Sequence, residues 1–367
     1  MRNLYLIFLV IWFLCGITKA ISAETLFEVV TNDASADKRA IAFVDTVTGK
    51  DRIVEVNMSG EVEWEWGFPT ELQGERERSI CQGADIKYLK LSDEILFIIP
   101  RMGAYKINRA GKLTTIIEDD EISHDIDALP NGNFIYVRGR VDKGDDEVRE
   151  VSPSGEVVWR WSHAKFFPKR KKFLSNIPRR ARGWMKGKRG GRETLKSDGV
   201  DWAHVNGVER YANGDTNISI RNFMMFVIVG PDGIPKETFR DIWLVHEPHK
   251  TVFGYIAADR YRKRGKILHS LVKISESGDR TDLLTGEYMT VRGIEILPNN
   301  RFNITSVGNV IEIDKEGEIY HRMHLSIHSE DAERDLHGKT KNPQDTMENG
   351  RCAPLNLYKV VKTKSYE

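Results

Sequence analysis

The sequence predicts an all-β chain folded as a six-bladed β-propeller, and three observations carry that expectation. First, a turn closing on glycine recurs at Gly60, Gly111, Gly155, Gly233, Gly278 and Gly317. Most intervals between these glycines are about 40 to 50 residues, the length of one four-stranded blade. Second, Asp125-Ile-Asp-Ala-Leu-Pro-Asn-Gly-Asn-Phe-Ile-Tyr-Val137 recurs as Gly293-Ile-Glu-Ile-Leu-Pro-Asn-Asn-Arg-Phe-Asn-Ile-Thr305. Each copy reads as a strand, a Pro-Asn turn and a second strand. Third, strong helix signals are lacking, while 8 Trp and 11 Tyr suit a sheet-rich fold.

Taken in order, the chain opens with Arg2 and an apolar run from Leu4 to Ile17, trailed by Ala20 and Ala23. This pattern reads as an export signal over residues 1–23, cleaved after Ala23 or Ala20 or kept as an anchor. The expected location is accordingly periplasmic or exported. Residues 24–367 remain for the propeller. Val56-Asn-Met-Ser-Gly-Glu-Val-Glu-Trp64 and Val151-Ser-Pro-Ser-Gly-Glu-Val-Val-Trp159 share one ending, so each marks the outer hairpin of a blade. The Trp-x-Trp pairs there, Trp64 with Trp66 and Trp159 with Trp161, suit packing between blades.

One interval, the 78 residues from Gly155 to Gly233, is too long for a blade and predicts a basic insertion at 163–200, between the third and fourth blades. Its residues 165–196 hold 13 Lys/Arg against Glu193 alone, a net +12 in a chain of net +1, so the remainder carries −11. Interleaved Phe166, Phe167, Phe173 and Trp184 leave two readings of 165–196, a solvated loop or a contact surface for anionic lipid or polyanions. Nucleic acid is not expected as a partner behind an export signal. Near the C-terminus, Leu355 to Val361 is expected to close the ring with the first blade. Cys81 and Cys352 stand open as one disulfide or two thiols, and neither has the spacing of a metal site.

The residues that point to chemistry lie where innermost strands are expected to begin. His124 precedes Asp125-Ile, and His204 sits in Asp201-Trp-Ala-His-Val-Asn206. His246 and His249 share Trp243-Leu-Val-His-Glu-Pro-His249. Innermost strands line a propeller's channel, so successive blades would present these imidazoles to one cavity. Asn206 accompanies His204, and Arg221 follows His204 by 17 residues, a spacing that an outward and returning strand brings back to the same rim. Three imidazoles could also hold a metal, but Arg221 beside them would repel a cation, so no metal and no cofactor is expected. His321, His324, His328 and His337 lack metal spacing and are expected at the surface.

Asp201-Trp-Ala-His-Val-Asn206 with Ser219-Ile-Arg221 resembles the signature of the bacterial arylsulfate sulfotransferases. His124-Asp-Ile-Asp-Ala-Leu-Pro-Asn-Gly-Asn133 is similar to that family's upstream His motif, and Val245-His246 with Ala258-Asp259 to its later segment. The likeness runs from about residue 80 to 325. It implies a periplasmic six-bladed propeller that moves a sulfuryl group from an aryl sulfate donor to a phenolic acceptor without a nucleotide donor. It further implies His246 as the nucleophile, His204 and Arg221 on the sulfate oxygens, and His124 in the same cluster. Asn206 and His249 are expected to bind substrate, with His249 as the rival nucleophile. The sequence departs from the family pattern at Val245, where Gln is usual, and in the short segment from Lys250 to Ile256. Two alternatives stand beside the enzyme: a non-catalytic propeller binding an anionic ligand or protein, and a hydrolase using the same histidines.

Overall fold

A computed structural model describes residues 24–45, 50–72, 84–139, 146–167, 203–243, 245–263, 266–286, 290–306, 308–326 and 359–364. Residues 1–23, expected as an export signal, residues 168–202, Cys81, Cys352, His328 and His337 lie outside them. Among the described residues the chain is all β, with four single 3-10 turns and no α-helix.

Strand β1 (Phe27–Asn32) is followed by β2 (Ile41–Asp45), β3 (Arg52–Val56) and β4 (Val62–Gly67) of blade one. Blade two is β5 (Ile86–Leu89), β6 (Glu94–Ile99), β7 (Gly103–Asn108) and β8 (Leu113–Glu118). Blade three is β9 (Ile122–Ala128), β10 (Phe134–Arg138), β11 (Val148–Val151) and β12 (Val157–Trp161). Blade four holds β13 (Val205–Arg210), β14 (Thr216–Ile220), β15 (Met225–Val229) and β16 (Pro235–Arg240). Blade five holds β17 (His249–Thr251), β18 (Gly254–Lys263), β19 (Lys266–Ile274) and β20 (Arg280–Gly286). Blade six is β21 (Val291–Leu297), β22 (Arg301–Ser306), β23 (Asn309–Ile313) and β24 (Ile319–Leu325).

Closure is double. The last strand, β25 (Val360–Lys362), pairs with β2 as the innermost strand of blade one, and β1 pairs with β24 as a fifth strand of blade six. Both chain ends are thereby stitched into neighbouring blades, which removes an open seam. Of the C-terminal strand expected over Leu355 to Val361, Val360 and Val361 are in place in β25, and residues 355–358 lie outside the described residues.

The six recurring glycines each sit in the hairpin between the third and fourth strands of a blade, all with positive φ. At Gly60 and Gly317 a Cβ would also fall 2.2 and 2.3 Å from a carbonyl oxygen of another strand, so both conformation and space require glycine. The core is correspondingly divided. Among the described residues six apolar clusters occur, one at each junction between neighbouring blades. Trp66 leans on Phe97 at 5.9 Å between blades one and two, and Trp159 Nε1 donates to Pro231 O at 3.1 Å between blades three and four. Phe226 and Phe239 of blade four stack at 4.5 Å and meet Tyr255 of blade five. A fully buried ring such as Phe226 contributes about 1.5–3 kcal/mol, and the half-buried Trp66 and Trp159 less.

One surface expectation is corrected. His321 is 2% exposed and faces Met58 O at 3.3 Å, because β24 is covered by β1 and is not an outer edge.

Candidate functional site

Strand starts on the channel are irregular, and that irregularity aims the polar residues. In blade three, β9 and β10 pair as Ile122↔Arg138 and next as Ile126↔Tyr136, so Ser123, His124 and Asp125 oppose Val137 alone. Asn206 is the extra residue between Val205↔Ile220 and Gly207↔Ser219 in blade four, and Arg292 the extra one between Val291↔Ser306 and Gly293↔Thr305 in blade six. A bulge of this kind turns a side chain away from the regular alternation and towards a site. His124, His204 and Glu247 also hold left-handed backbone, with φ of 71°, 51° and 38°. Non-glycine residues there cost roughly 1–2 kcal/mol, a strain that folds retain chiefly where function needs it.

The three expected histidines are buried at the same end of the channel, in consecutive blades. Nε2 of His204 lies 3.0 Å from Nε2 of His124, with the rings edge to face at 4.6 Å. His124 Nδ1 faces the Ser123 hydroxyl. Space for the His124 ring depends on Gly139, where a Cβ would fall 2.6 Å from Ser123 Oγ and 2.8 Å from His124 Nδ1. Arg221 opens the 3-10 turn after β14, and its backbone N–H donates to His204 O at 3.1 Å. Both residues therefore end on one rim, as their spacing predicts.

His246 meets an arginine that the sequence reading passed over. Arg292 Nη1 lies 3.2 Å from His246 Nε2, and both side chains are buried. A guanidinium only donates, so Nε2 accepts and keeps its lone pair, leaving the proton of the neutral ring on Nδ1. The signal was present in the repeat. Matching Asp125-Ile-Asp to Gly293-Ile-Glu places Arg292 opposite His124, yet attention to histidine alone hid it.

The other two expected residues have structural partners. Asn206 Nδ2 donates to Val245 O at 3.0 Å, and its Oδ1 accepts from Ser219 Oγ at 2.7 Å. It thus pins the residue before His246 to blade four. His249 lies with Nδ1 3.4 Å from Glu209 and Nε2 4.0 Å from Glu247. Burial alone would lower its pKa, but the two carboxylates outweigh burial and raise it to about 10, so His249 is an imidazolium at neutral pH.

Beside the histidines runs a buried ionic network. Lys359 Nζ is 2.6 Å from Asp85, 2.6 Å from Glu247 and 3.3 Å from Asp125, while Lys87 Nζ is 3.2 Å from Asp125 and 2.9 Å from Asp127. Three of these acids each fasten one blade to the next: Asp85 accepts from Ile126 N, Asp125 from Val208 N, Glu247 from Ile294 N, at 2.9, 2.8 and 3.1 Å. Glu295 continues the series by accepting from Lys362 N at 2.8 Å. Carboxylate oxygens of Asp85, Asp125 and Glu247 lie within 4.8 Å of one another, close enough to hold a metal ion. The Lys359 ammonium already serves as the cation among them. The network thus ties neighbouring blades together around the channel.

The chain shares its fold with a Bacteroides caccae protein of unknown function, at 15% identity and TM-score 0.50, over 78% of this chain and 94% of that one. A streptogramin B lyase aligns at 11% identity and TM-score 0.48, over 82% and 84% of the two chains. The first likeness speaks to the fold alone, and nothing is drawn from the second. No curated protein matches the chain. Among the described residues no helix is long and apolar enough to cross a membrane. The family model described as arylsulfotransferase (ASST) matches residues 82–233, which supports an arylsulfotransferase-like function; the match takes in His124, His204, Asn206 and Arg221 and stops before His246. The resemblance read from the sequence therefore holds through blades two to four, and over that stretch the chain carries the pattern of the arylsulfotransferases.

Proposed function

We propose that this protein transfers a sulfuryl group from an aryl sulfate to a phenol through a sulfated histidine, with His246 as the nucleophile. The observation that carries the reading is the pairing of His246 with Arg292 beside the His124–His204 pair, one polar residue from each of four consecutive blades. His246 Nε2 is a neutral lone pair held against a guanidinium, while its rival His249 is protonated between two carboxylates and has no lone pair to offer.

In this scheme His246 Nε2 forms a bond to sulfur as the bond from sulfur to the aryl oxygen breaks. The electron pair leaves on that oxygen, which takes a proton from the His124–His204 pair. Arg292 and Arg221 exchange their present contacts for the sulfuryl oxygens as negative charge moves. The acceptor phenol then attacks sulfur, returns its proton to the pair and frees His246. Transfer through a covalent histidine makes the kinetics ping-pong. Asn206 acts as a positioning residue through Val245. Export rests on the Leu4–Ile17 run, and contact of residues 165–196 with anionic lipid or polyanions rests on their charge.

The test is intact mass after incubation with a chromogenic aryl sulfate. The expected result is a sulfuryl adduct on the parent protein and on His249→Ala, absent from His246→Ala and discharged by added phenol. An adduct that survives in His246→Ala overturns the assignment. Binding without adduct or phenol release turns the reading to a ligand-binding propeller of the same ancestry.

A further inference from the structure

The stretch that carries His246 is held differently from its counterparts. Strands β9 and β21 already include His124 and Arg292, and β13 begins one residue after His204. In blade five β17 starts only at His249, three residues after His246. His246 therefore lies on an irregular crossover from blade four, with Asp241 and Glu247 in left-handed backbone at φ of 64° and 38°. Such conformations strain an L residue and persist only where the surroundings hold them.

Blade five supplies that hold from its second strand. Strands β18 and β19 run 10 and 9 residues, whereas second and third strands in the other blades run 4 to 6. The added length runs beside the crossover. Ala258 N donates to His246 O at 3.4 Å, and the next residue, Asp259, meets the approach to it. Asp259 Oδ1 accepts from Trp243 N at 2.6 Å and from Arg260 N at 2.7 Å. Arg280 Nη1 of β20 stands 3.7 Å from Asp259 Oδ2. The same guanidinium grips the crossover itself: Nη1 donates to Asp241 O at 2.7 Å, and Nη2 donates to Arg240 O.

Asp259 thus takes an N–H of the crossover, Arg280 takes two of its carbonyls, and the two side chains are paired with each other. Asp259 is 8% exposed, and burial pushes its pKa up to about 6 against the two N–H donors and Arg280, with Asp282 of β20 adding to burial. It is still a carboxylate, accepting at both oxygens, at neutral pH. We infer that Asp259 and Arg280 are positioning residues: together they clamp the crossover that leads into His246, and so fix where its imidazole stands. A paired donor and acceptor set the direction of the backbone as well as its place. Asn206 holds Val245 from blade four; the clamp holds residues 240–243 from blade five. Its part in group transfer rests on the reading of His246 as the nucleophile, while the clamp itself does not.

Diethyl pyrocarbonate, which carbethoxylates neutral imidazole, reads the clamp without the transfer reaction. The full chain is treated at pH 7 and each histidine followed by peptide mass, with the buried His321 as internal standard. In Arg280→Met and Asp259→Ala the rate at His246 should rise about tenfold, the worth of one charge-assisted contact, with His321 unchanged. Arg280→Lys, which keeps the charge, should raise it less. Arg280 is 33% exposed, so its replacement leaves the core intact and decides the matter should Asp259→Ala not fold. An unchanged rate at His246 in Arg280→Met, or a rise shared by His321, overturns the inference. Formation of the sulfuryl adduct should slow about a hundredfold in the same variants, the cost of a misplacement of about 1 Å. Affinity for inert benzenesulfonate should stay within about twofold. Adduct formation at the parent rate overturns the positioning role. If the variants expose His246 to the reagent but the parent protein forms no adduct, the clamp stands and the transfer reaction falls.

Discussion

Nε2 of His124 and Nε2 of His204 face each other at 3.0 Å across two blades. At that distance only one of the two nitrogens can carry the proton between them, so in the proposed transfer the pair would act as a single acid–base unit. Removing either ring should cost about 10²- to 10⁴-fold in turnover. The loss should be larger for aryl sulfates with poor leaving groups, which need the proton most. Gly139→Ala should mimic it, because its Cβ would enter the space of Ser123 Oγ and His124 Nδ1. Steady-state rates over a series of substituted phenyl sulfates check both; equal losses across the series would remove the pair from proton transfer.

Lys359 offers a separate prediction about the frame. Its ammonium lies among Asp85, Asp125 and Glu247, all nearly inaccessible to water, and their charges raise its pKa against the opposing effect of burial. Lys359→Met would leave three buried carboxylates short of a cation and should cost about 3–5 kcal/mol. It would also weaken β25, the strand that closes the ring. Denaturant titration measures the loss, and a change under about 1 kcal/mol would show that the network is not what fastens the blades.

Acid should destabilise the fold through two histidines that are buried uncharged. Burial first, and nearby cations second, lower His269 to about 3 and His321 to about 4. In the unfolded chain both bind protons near pH 6.5. Between about pH 6.5 and 4 the unfolded state therefore holds more protons, so stability falls as pH falls. The slope ends once the folded protein is protonated too. Over that window the expected loss is on the order of 3 kcal/mol for each group. Melting temperature against pH should show the decline, and His321→Gln should flatten it; an unchanged slope in that variant would place the acid sensitivity elsewhere.

The sequence by itself determined the blade number, because a glycine that must adopt positive φ marks the outer hairpin of every blade. Closure by the C-terminal strand was legible for a similar reason, since an apolar strand without a blade of its own has to pair with the one lacking an inner strand. Local chemistry also gave the three histidine positions, as strand starts next to recognisable repeats. What the tertiary structure alone decided is which charges these residues meet. His246 and His249 are three residues apart and chemically alike in the sequence. Only the ring brings Arg292 of the next blade to one, and Glu209 of the previous blade to the other. Asn206 likewise reads as a ligand-binding amide until Val245 and Ser219 are found on it. Backbone propensity is a property of a few neighbouring residues, whereas a side chain's charge state and partners depend on Coulomb contacts across blades that are far apart in the chain.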